Sequence, residues 1–188
     1  MTNDRLQLAA YLPCSRVNGP GLRSVVWVQG CPFRCPGCFN PDFLPFTGGW
    51  SASVAEVVAQ LLAEKDSAGV SFSGGEPFAQ ARPLAEVAEQ IRAAGKSILI
   101  FTGFQAATLD KSTNPGIRRL LAAADLLVAG PYQRKHPYQH PLLVSANQEL
   151  IFLTERYRSV DFAPRRMEFR IDATGAVTAT GLLMSKIN

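Results

Sequence analysis

Three cysteines crowd into one short stretch of this chain, at Cys31, Cys35 and Cys38. Steps of four and then three residues place the thiolates on one loop, where they can face a common point. Protein sites built from thiolates alone hold iron–sulfur clusters or zinc. Three thiolates suit a four-iron cluster whose last iron has no protein ligand and can therefore bind a substrate. The spacing predicts a metal centre that takes part in chemistry.

Zinc is the main alternative to a cluster at these cysteines. Structural zinc takes four ligands, commonly in paired Cys-x-x-Cys steps, and here only the step from Cys35 to Cys38 has that spacing. The fourth ligand would have to be Cys14, His136 or His140. Cys14 stands apart and is expected to be a small core residue. Both histidines fall in a proline-rich loop, where solvent exposure is the default expectation. An iron–sulfur cluster is therefore the favoured interpretation.

The composition is that of an ordinary globular chain. Its 188 residues, 47% hydrophobic and 18% charged, fit one domain with a real core, so we predict a single domain over residues 1–188. No apolar run approaches the roughly 20 residues of a membrane span, and the N-terminus lacks the features of a signal peptide. Crowded cysteines make a poor disulfide framework. We expect a cytoplasmic protein, and a net charge of +4 gives no reason to expect nucleic-acid binding.

Strand-like and helix-like segments alternate along the chain without a linker or repeat. The expected strands are Arg23–Gln29, Gly69–Ser73, Ser97–Thr102, Asp125–Ala129 and Glu149–Thr154, followed by a hairpin of Met167–Ile171 and Ala176–Thr180 around Asp172-Ala173-Thr174-Gly175. The expected helices begin after the capping box of Ser53 and Glu56, at Pro83 with Gly95 as the C-cap, and near Ile117. The first helix carries an apolar stripe of Val54, Val57, Val58, Leu61 and Leu62.

Such alternation predicts an α/β fold with a parallel sheet, whose sites lie at the carboxyl ends of the strands. The cysteine loop and the turn Gly74-Gly75-Glu76-Pro77 both follow expected strands directly, so they should share one rim of the sheet. A complete eight-fold barrel takes about 250 residues. This shorter chain therefore favours an incomplete, laterally open (β/α) barrel with a C-terminal β-hairpin.

The Gly74-Gly75-Glu76-Pro77 turn has two interpretations. It can be a plain tight turn in which glycine supplies a positive φ. It can also expose backbone groups closely enough to hydrogen-bond an amino acid's ammonium group, while Glu76 fixes the turn.

Taken together, these motifs resemble the radical S-adenosylmethionine (SAM) proteins, and within them the activating enzymes of glycyl radical enzymes. The activators of anaerobic ribonucleotide reductase are the most similar group. The resemblance spans most of the chain, in order: Gly19-Pro20-Gly21-Leu22-Arg23, Gln29-Gly30-Cys31 through Cys38-Phe39-Asn40, Ser73-Gly74-Gly75-Glu76-Pro77, Asp125-Leu126-Leu127-Val128-Ala129-Gly130-Pro131-Tyr132 and Ser145-Ala146-Asn147-Gln148.

The resemblance implies a [4Fe–4S] cluster on Cys31, Cys35 and Cys38, with SAM chelated by the open iron. It further implies the following SAM contacts: Gly74, Gly75 and Glu76 at the methionine ammonium, Gly37 and Phe39 near the adenine, Thr102 beside the SAM, and Asn147 in a family motif. Where many radical SAM proteins have an aromatic residue this chain has Gly37, so an adenine contact there would use backbone. Some activators have an acidic residue near the position of Ala129, which puts a cation site there in doubt.

In such enzymes one electron from the reduced cluster cleaves SAM, and the radical released takes hydrogen from a substrate. The resemblance thus implies an activase that forms a glycyl radical on a partner enzyme, with a reductant such as flavodoxin or ferredoxin. Two alternatives remain open: a radical SAM enzyme acting on a peptide, nucleotide or other small molecule, and a non-catalytic metal or electron-transfer module. Tyr132 and Tyr138, beside the basic run Arg134-Lys135-His136, could dock a partner, although a solvated loop is the plainer expectation.

Overall fold

The computed structural model describes residues 4–160, 162, 167–171, 174–175 and 177–181. Seven strands form one sheet in the spatial order β3-β1-β2-β4-β5-β6-β7, and two more pair separately. The strands of the sheet are β1 (Arg5–Ser15), β2 (Arg23–Val28), β3 (Trp50–Ser53), β4 (Gly69–Gly74), β5 (Ser97–Thr102), β6 (Leu126–Ala129) and β7 (Glu149–Phe152).

The centre of the sheet is parallel, and its edges are antiparallel. Strands β2, β4, β5 and β6 run side by side in parallel, whereas β1, β3 and β7 pair antiparallel. Parallel strands are covered on both faces, which is why β5 and β6 are nearly continuous runs of apolar residues. The predicted α/β class with a largely parallel sheet is confirmed. Its curvature into an incomplete barrel stays a prediction.

Helices cover one face of the sheet. They are α1 (Val54–Ala63), α2 (Ala81–Ala93), α3 (Ala106–Asp110) and α4 (Pro115–Ala123). Their buried side chains join those of Val28, Phe72 and Ile100 in the larger core cluster. The opposite face is covered by Leu142 and Leu143 of the loop after β6. That arrangement leaves the carboxyl ends of β2, β4, β5 and β6 free to carry loops.

Several local predictions hold and others need correction. Ser53 and Glu56 form the predicted capping box, and Gly95 follows α2 with a φ of +82°. However, α2 begins at Ala81, because the 3-10 turn Pro77–Gln80 leads straight into it, so Pro83 lies inside the first turn. Leu62 lies off the apolar stripe of α1 and is 38% exposed.

The C-terminal strand pair, β8 (Met167–Ile171) and β9 (Val177–Gly181), is antiparallel as predicted. Asp172, Ala173 and Ala176 of its predicted turn lie outside the described residues. The polar face points inward: Glu168 Oε2 accepts hydrogen bonds from Ser15 Oγ and the Arg16 amide. Phe169, Ile171 and Val177 face outward and are largely exposed. Among the described residues no helix is long and apolar enough to cross a membrane.

Candidate metal centre

The cysteine loop leaves the carboxyl end of β2 and folds back on itself. The Gly30 amide donates to Phe43 O at 2.9 Å, and the Cys31 amide donates to Leu44 O at 3.0 Å. The buried Gln29 ties the returning chain down, since its Nε2 donates to Pro45 O at 2.7 Å. These bonds close the loop at its base and hold the cysteines above the sheet edge.

One pocket collects the three thiols and the ends of the neighbouring strands. Its lining comprises Cys31, Phe33, Cys35, Cys38, Phe39, Asn40, Leu44, Ser73, Gly74, Gly75, Glu76, Phe101, Thr102, Gly103, Gly130, Tyr132 and Gln148. The predicted meeting of the cysteine loop with the Gly-Gly-Glu-Pro turn is thereby confirmed. The register explains it, because Val28 of β2 pairs directly with Gly74 of β4.

Partial burial shapes the chemistry of the free thiols. Desolvation raises the pKa of Cys31 to about 11, against the opposing effect of the Phe33 backbone amide. Desolvation also raises the pKa of Cys35, opposed by the Tyr132 backbone amide. The Asn40 amide donates to Cys38 Sγ at an N···S distance of 3.4 Å. Since a bound metal deprotonates a coordinating thiol outright, loading the site should release protons.

The donor set fits a thiolate-bound cluster. Three half-buried thiols share the pocket, and the carboxyl group that lines it, that of Glu76, is already satisfied by protein donors. Within the described residues, no three His, Cys, Asp or Glu side chains stand close enough to bind one metal ion. A four-iron cluster makes no such demand, because each thiolate binds a different iron.

The proposed fourth zinc ligands lie elsewhere. Cys14, His136 and His140 are not among the residues that line the pocket. Cys14 lies near the far end of β1, half-buried instead of in the core, with its Sγ 4.0 Å from Glu64 Oε2. His140 Nδ1 accepts from the backbone amides of Leu142 and Leu143. This geometry gives the zinc alternative no support.

The two glycines of the turn allow close approach to the cysteine loop. A Cβ added to Gly75 would lie 2.3 Å from Gly30 O, and one added to Gly74 would lie 2.6 Å from Val28 O. The amides of Gly75 and Glu76 already donate to Val28 O and Gly30 O. An ammonium group is a donor only, so it would bind the carbonyl oxygens of this turn.

Glu76 ties the ends of β4 and β5 together. Its Oε1 accepts from the Phe78 amide at 2.9 Å and from Thr102 Oγ1 at 2.8 Å, and its Oε2 accepts from the Gly103 amide at 2.8 Å. The residue is 1% exposed, and this burial raises the pKa of Glu76 to about 7 in spite of the three donors. The sequence-based interpretation that Glu76 fixes the turn agrees with these contacts.

The remaining predicted contacts divide between the pocket and its surroundings. Thr102 and Phe39 line the pocket, although the Thr102 hydroxyl is already engaged with Glu76. Gly37 is not among the lining residues; it is exposed, with a φ of +76°, and Arg134 lies against it. Asn147 lies behind the pocket wall: its Nδ2 donates to Pro131 O at 2.7 Å, and its buried Oδ1 has no partner among the described residues.

Sequence reasoning missed part of the pocket wall. Gly130, Tyr132 and Gln148 line the pocket, yet they were not predicted as site residues. A signal was present, because all three fall in segments that carry the family resemblance.

The fold and the site together define a class: an α/β protein with a three-thiol centre at the carboxyl edge of its parallel strands. A family model described as "4Fe-4S single cluster domain" matches residues 17–151. The anaerobic ribonucleoside-triphosphate reductase-activating protein of Vibrio cholerae is 31% identical over 131 residues, which cover 65% of this chain and 81% of that relative. This chain belongs to the 4Fe-4S single cluster domain family, together with those activating proteins.

Other matches are partial. The pyruvate formate-lyase-activating enzyme of Listeria monocytogenes is 33% identical over 117 residues, covering 60% of this chain and 47% of that enzyme. The chain thus spans half or less of the length of such relatives. A solved structure, QueE from Escherichia coli, aligns with 65% of this chain and 69% of its own at 17% identity and a TM-score of 0.39. The predicted kinship with glycyl radical enzyme activators is confirmed by the named relatives.

Proposed function

We propose that this chain is a radical SAM activase, which forms a glycyl radical on a partner enzyme similar to anaerobic ribonucleotide reductase. The observation that carries the proposal is the pocket whose lining brings three thiols together with the Gly74–Glu76 turn. The relatives are named as activators of a ribonucleoside-triphosphate reductase or of pyruvate formate-lyase. Those names support the choice of partner. Residues 1–188 would act as one domain, whose sheet curves into a laterally open barrel.

In this proposal the chain's residues bind and orient two cofactors. Cys31, Cys35 and Cys38 would hold a [4Fe–4S] cluster, and the carbonyls at Gly74 and Gly75 would hold the SAM ammonium. Held there, the two cofactors would supply the one-electron chemistry that cleaves the S–C5′ bond of SAM and starts hydrogen abstraction. Phe33 and Phe39 would shield that chemistry from water.

Four further residues would have supporting roles. Glu76 would hold the ends of β4 and β5 in place and Thr102 would fix Glu76, because both are buried and bonded to each other at 2.8 Å. Gly37 and Asn147 would act without lining the pocket. Gly37 would let Arg134 approach the cysteine loop closely, and Asn147 would hold the backbone at Pro131.

The test is electron paramagnetic resonance on anaerobically reconstituted protein. Mixed with SAM, a strong reductant and a co-encoded large glycyl radical enzyme, the wild type should give a glycyl doublet. Cys35→Ala should abolish both the doublet and SAM cleavage, whereas Cys14→Ala, which alters a cysteine outside the pocket, should retain them. Intact SAM in the wild-type reaction contradicts the proposal. SAM cleavage with a mass change in a small molecule, and with no protein radical, would favour a small-molecule substrate instead.

A further inference from the structure

One side chain outside the pocket, that of Gln80, joins two strands at the point where the cysteine loop begins. Its Oε1 accepts from the Gln7 amide at 2.7 Å, and its Nε2 donates to Gln7 O at 2.8 Å and to Gln29 O at 2.9 Å. These partners settle the orientation of the side-chain amide, because a backbone N–H only donates and a carbonyl oxygen only accepts. Gln80 is also the N-cap of α2, but its side chain makes no capping bond there.

The Gln80 amide takes the place of a bond between β1 and β2. Gln7 and Gln29 continue the antiparallel register of these strands, and the Gln29 amide donates to Gln7 O at 2.8 Å. In a regular hydrogen-bonded pair the reciprocal bond would run from Gln7 N to Gln29 O. Here the Gln80 amide lies between those two groups and bonds to both. It therefore holds β1 away from the end of β2, where the chain enters the cysteine loop.

The three carbonyl groups that precede the first cysteine are all held by residues 75–80. The bonds are Gly75 N to Val28 O at 2.8 Å, Gln80 Nε2 to Gln29 O at 2.9 Å and Glu76 N to Gly30 O at 2.8 Å. Two of these donors are backbone amides, and the third is the side chain of Gln80. The start of the cysteine loop is thus fixed to the turn through three successive peptide groups, and Gln80 supplies the bond that a substitution can remove.

We propose that Gln80 is a positioning residue, which sets the place of the cysteine loop relative to the Gly74–Glu76 turn and so brings a bound cluster within reach of SAM. The inference rests on the proposed function, because it takes this turn as the place where SAM is held. Without the Gln80 amide, Gln7 N and Gln29 O can bond to each other directly. The peptide group at Gln29 would then move toward β1 and away from the turn. The strands would stay paired, while the cluster would be displaced.

The experiment compares Gln80→Ala with Gln90→Ala, which shortens an exposed glutamine of α2 whose Nε2 donates to Glu86 O at 3.3 Å. Each protein is reconstituted without oxygen, its iron content is measured, and the reduced cluster is followed by electron paramagnetic resonance as SAM is added. Gln90→Ala should match the wild type. Gln80→Ala should bind as much iron, but its spectrum without SAM should differ, because the surroundings of the cluster have changed. Half of the SAM-induced change should need about tenfold more SAM, which corresponds to about 1.4 kcal/mol of binding free energy.

Urea unfolding of the metal-free proteins separates positioning from a general loss of structure. Gln80→Ala should unfold at nearly the wild-type urea concentration, because the two backbone groups pair with each other instead. A wild-type SAM dependence in Gln80→Ala would overturn the proposal, whatever its urea midpoint.

A second variant covers the case in which Gln80→Ala does not hold iron. Gln80→Glu keeps the length of the side chain and an acceptor for the Gln7 amide, but it loses the donors to both carbonyls. A wild-type SAM dependence in Gln80→Glu would be equally decisive against the proposal. A wild type that holds its cluster but shows no change when SAM is added refutes the proposed function. The spectra without SAM then decide on Gln80 separately, since identical spectra of wild type and variant would exclude the positioning role.

Discussion

At the scale of single residues, the site depends on a glycine with almost no space around it. A methyl group on Gly75 would overlap Gly30 O at 2.3 Å and Phe43 O at 2.8 Å. Both oxygens belong to the backbone of the cysteine loop and its returning chain. Any displacement of the turn would therefore displace the cysteine loop as well.

We expect Gly75→Ala to push the cysteine loop away from the turn, which should lower both stability and iron content. Overpacking of this kind costs about 1–3 kcal/mol. Gly95→Ala is the matched control: its φ is +82° but nothing lies within 4 Å of the new methyl group. It should cost about 1–2 kcal/mol through backbone strain and leave iron binding intact. Urea unfolding and iron analysis measure the two effects, and full iron loading of Gly75→Ala would contradict the argument.

A second prediction at this scale concerns the pH dependence introduced by Glu76. Burial raises its pKa from 4.5 to about 7, so the folded state holds this proton more tightly than the unfolded state. The contribution of Glu76 to the free energy of unfolding is full below pH 4.5 and falls as the pH rises to about 7. The total loss is on the order of 3 kcal/mol.

Glu76→Gln should remove this slope, because glutamine does not titrate. At low pH it should cost about 1–3 kcal/mol, since an amide NH₂ would face a backbone donor, and this cost should shrink as the pH rises toward 7, because only the wild type loses stability there. The measurement is the difference in unfolding free energy between wild type and variant, in metal-free, reduced protein from pH 5 to 8. A difference that does not change with pH would show that Glu76 ionises normally.

At the scale of secondary structure, one buried arginine connects three strands. Arg23, which opens β2, is fully buried. It donates to Ser71 Oγ of β4, to Ser97 Oγ of β5 and to the Tyr157 hydroxyl. Within the described residues no ion pair holds it, so neutral oxygens satisfy its charge.

Arg23→Met should therefore cost about 3 kcal/mol, because several buried oxygens lose their donor. Arg158→Met is the control, since Arg158 makes an exposed ion pair with Glu155 at 2.7 Å, and such pairs contribute about 0–1 kcal/mol. Chemical unfolding of both variants gives the comparison. Similar losses in the two would mean that the buried contacts of Arg23 contribute little.

The sequence predicts the parallel strands and the meeting of the two site motifs, because apolar runs and glycine turns are local signals. It does not predict β1, since the pairing of β1 with β2 shifts register between Leu8 and Ala10 and such an irregularity breaks the alternation of side chains. The five residues of α3 are too few to show a helical period.

At the scale of the whole molecule, basic side chains outnumber acidic ones on the exposed surface around the cysteine loop, with Arg34, Arg134 and Lys135 against Asp42. Arg34 lies within the loop, and Lys135 follows Arg134, whose Cδ lies beside Gly37 of the loop. Both Arg34 and Lys135 are exposed. In the part of the chain that the structure describes, no ion pair engages either of them. A positive surface beside the metal centre favours encounter with an acidic electron carrier, which fits the proposed flavodoxin- or ferredoxin-like reductant.

The double variant Arg34→Glu, Lys135→Glu should slow reduction of the cluster by flavodoxin about tenfold at low salt, and rising ionic strength should narrow the gap to the wild type. The control is a second double variant, Lys65→Glu with Arg156→Glu. It reverses the same number of charges at the opposite end of the parallel strands, where Arg156 donates a hydrogen bond to Gly95 O, and it should change the rate far less. Reduction by dithionite should be similar in all three proteins, because a small reductant needs no docking surface. Stopped-flow bleaching of the cluster absorbance measures each rate. Equal slowing by both double variants would trace the effect to net charge and remove the reason to place the carrier beside the cysteine loop.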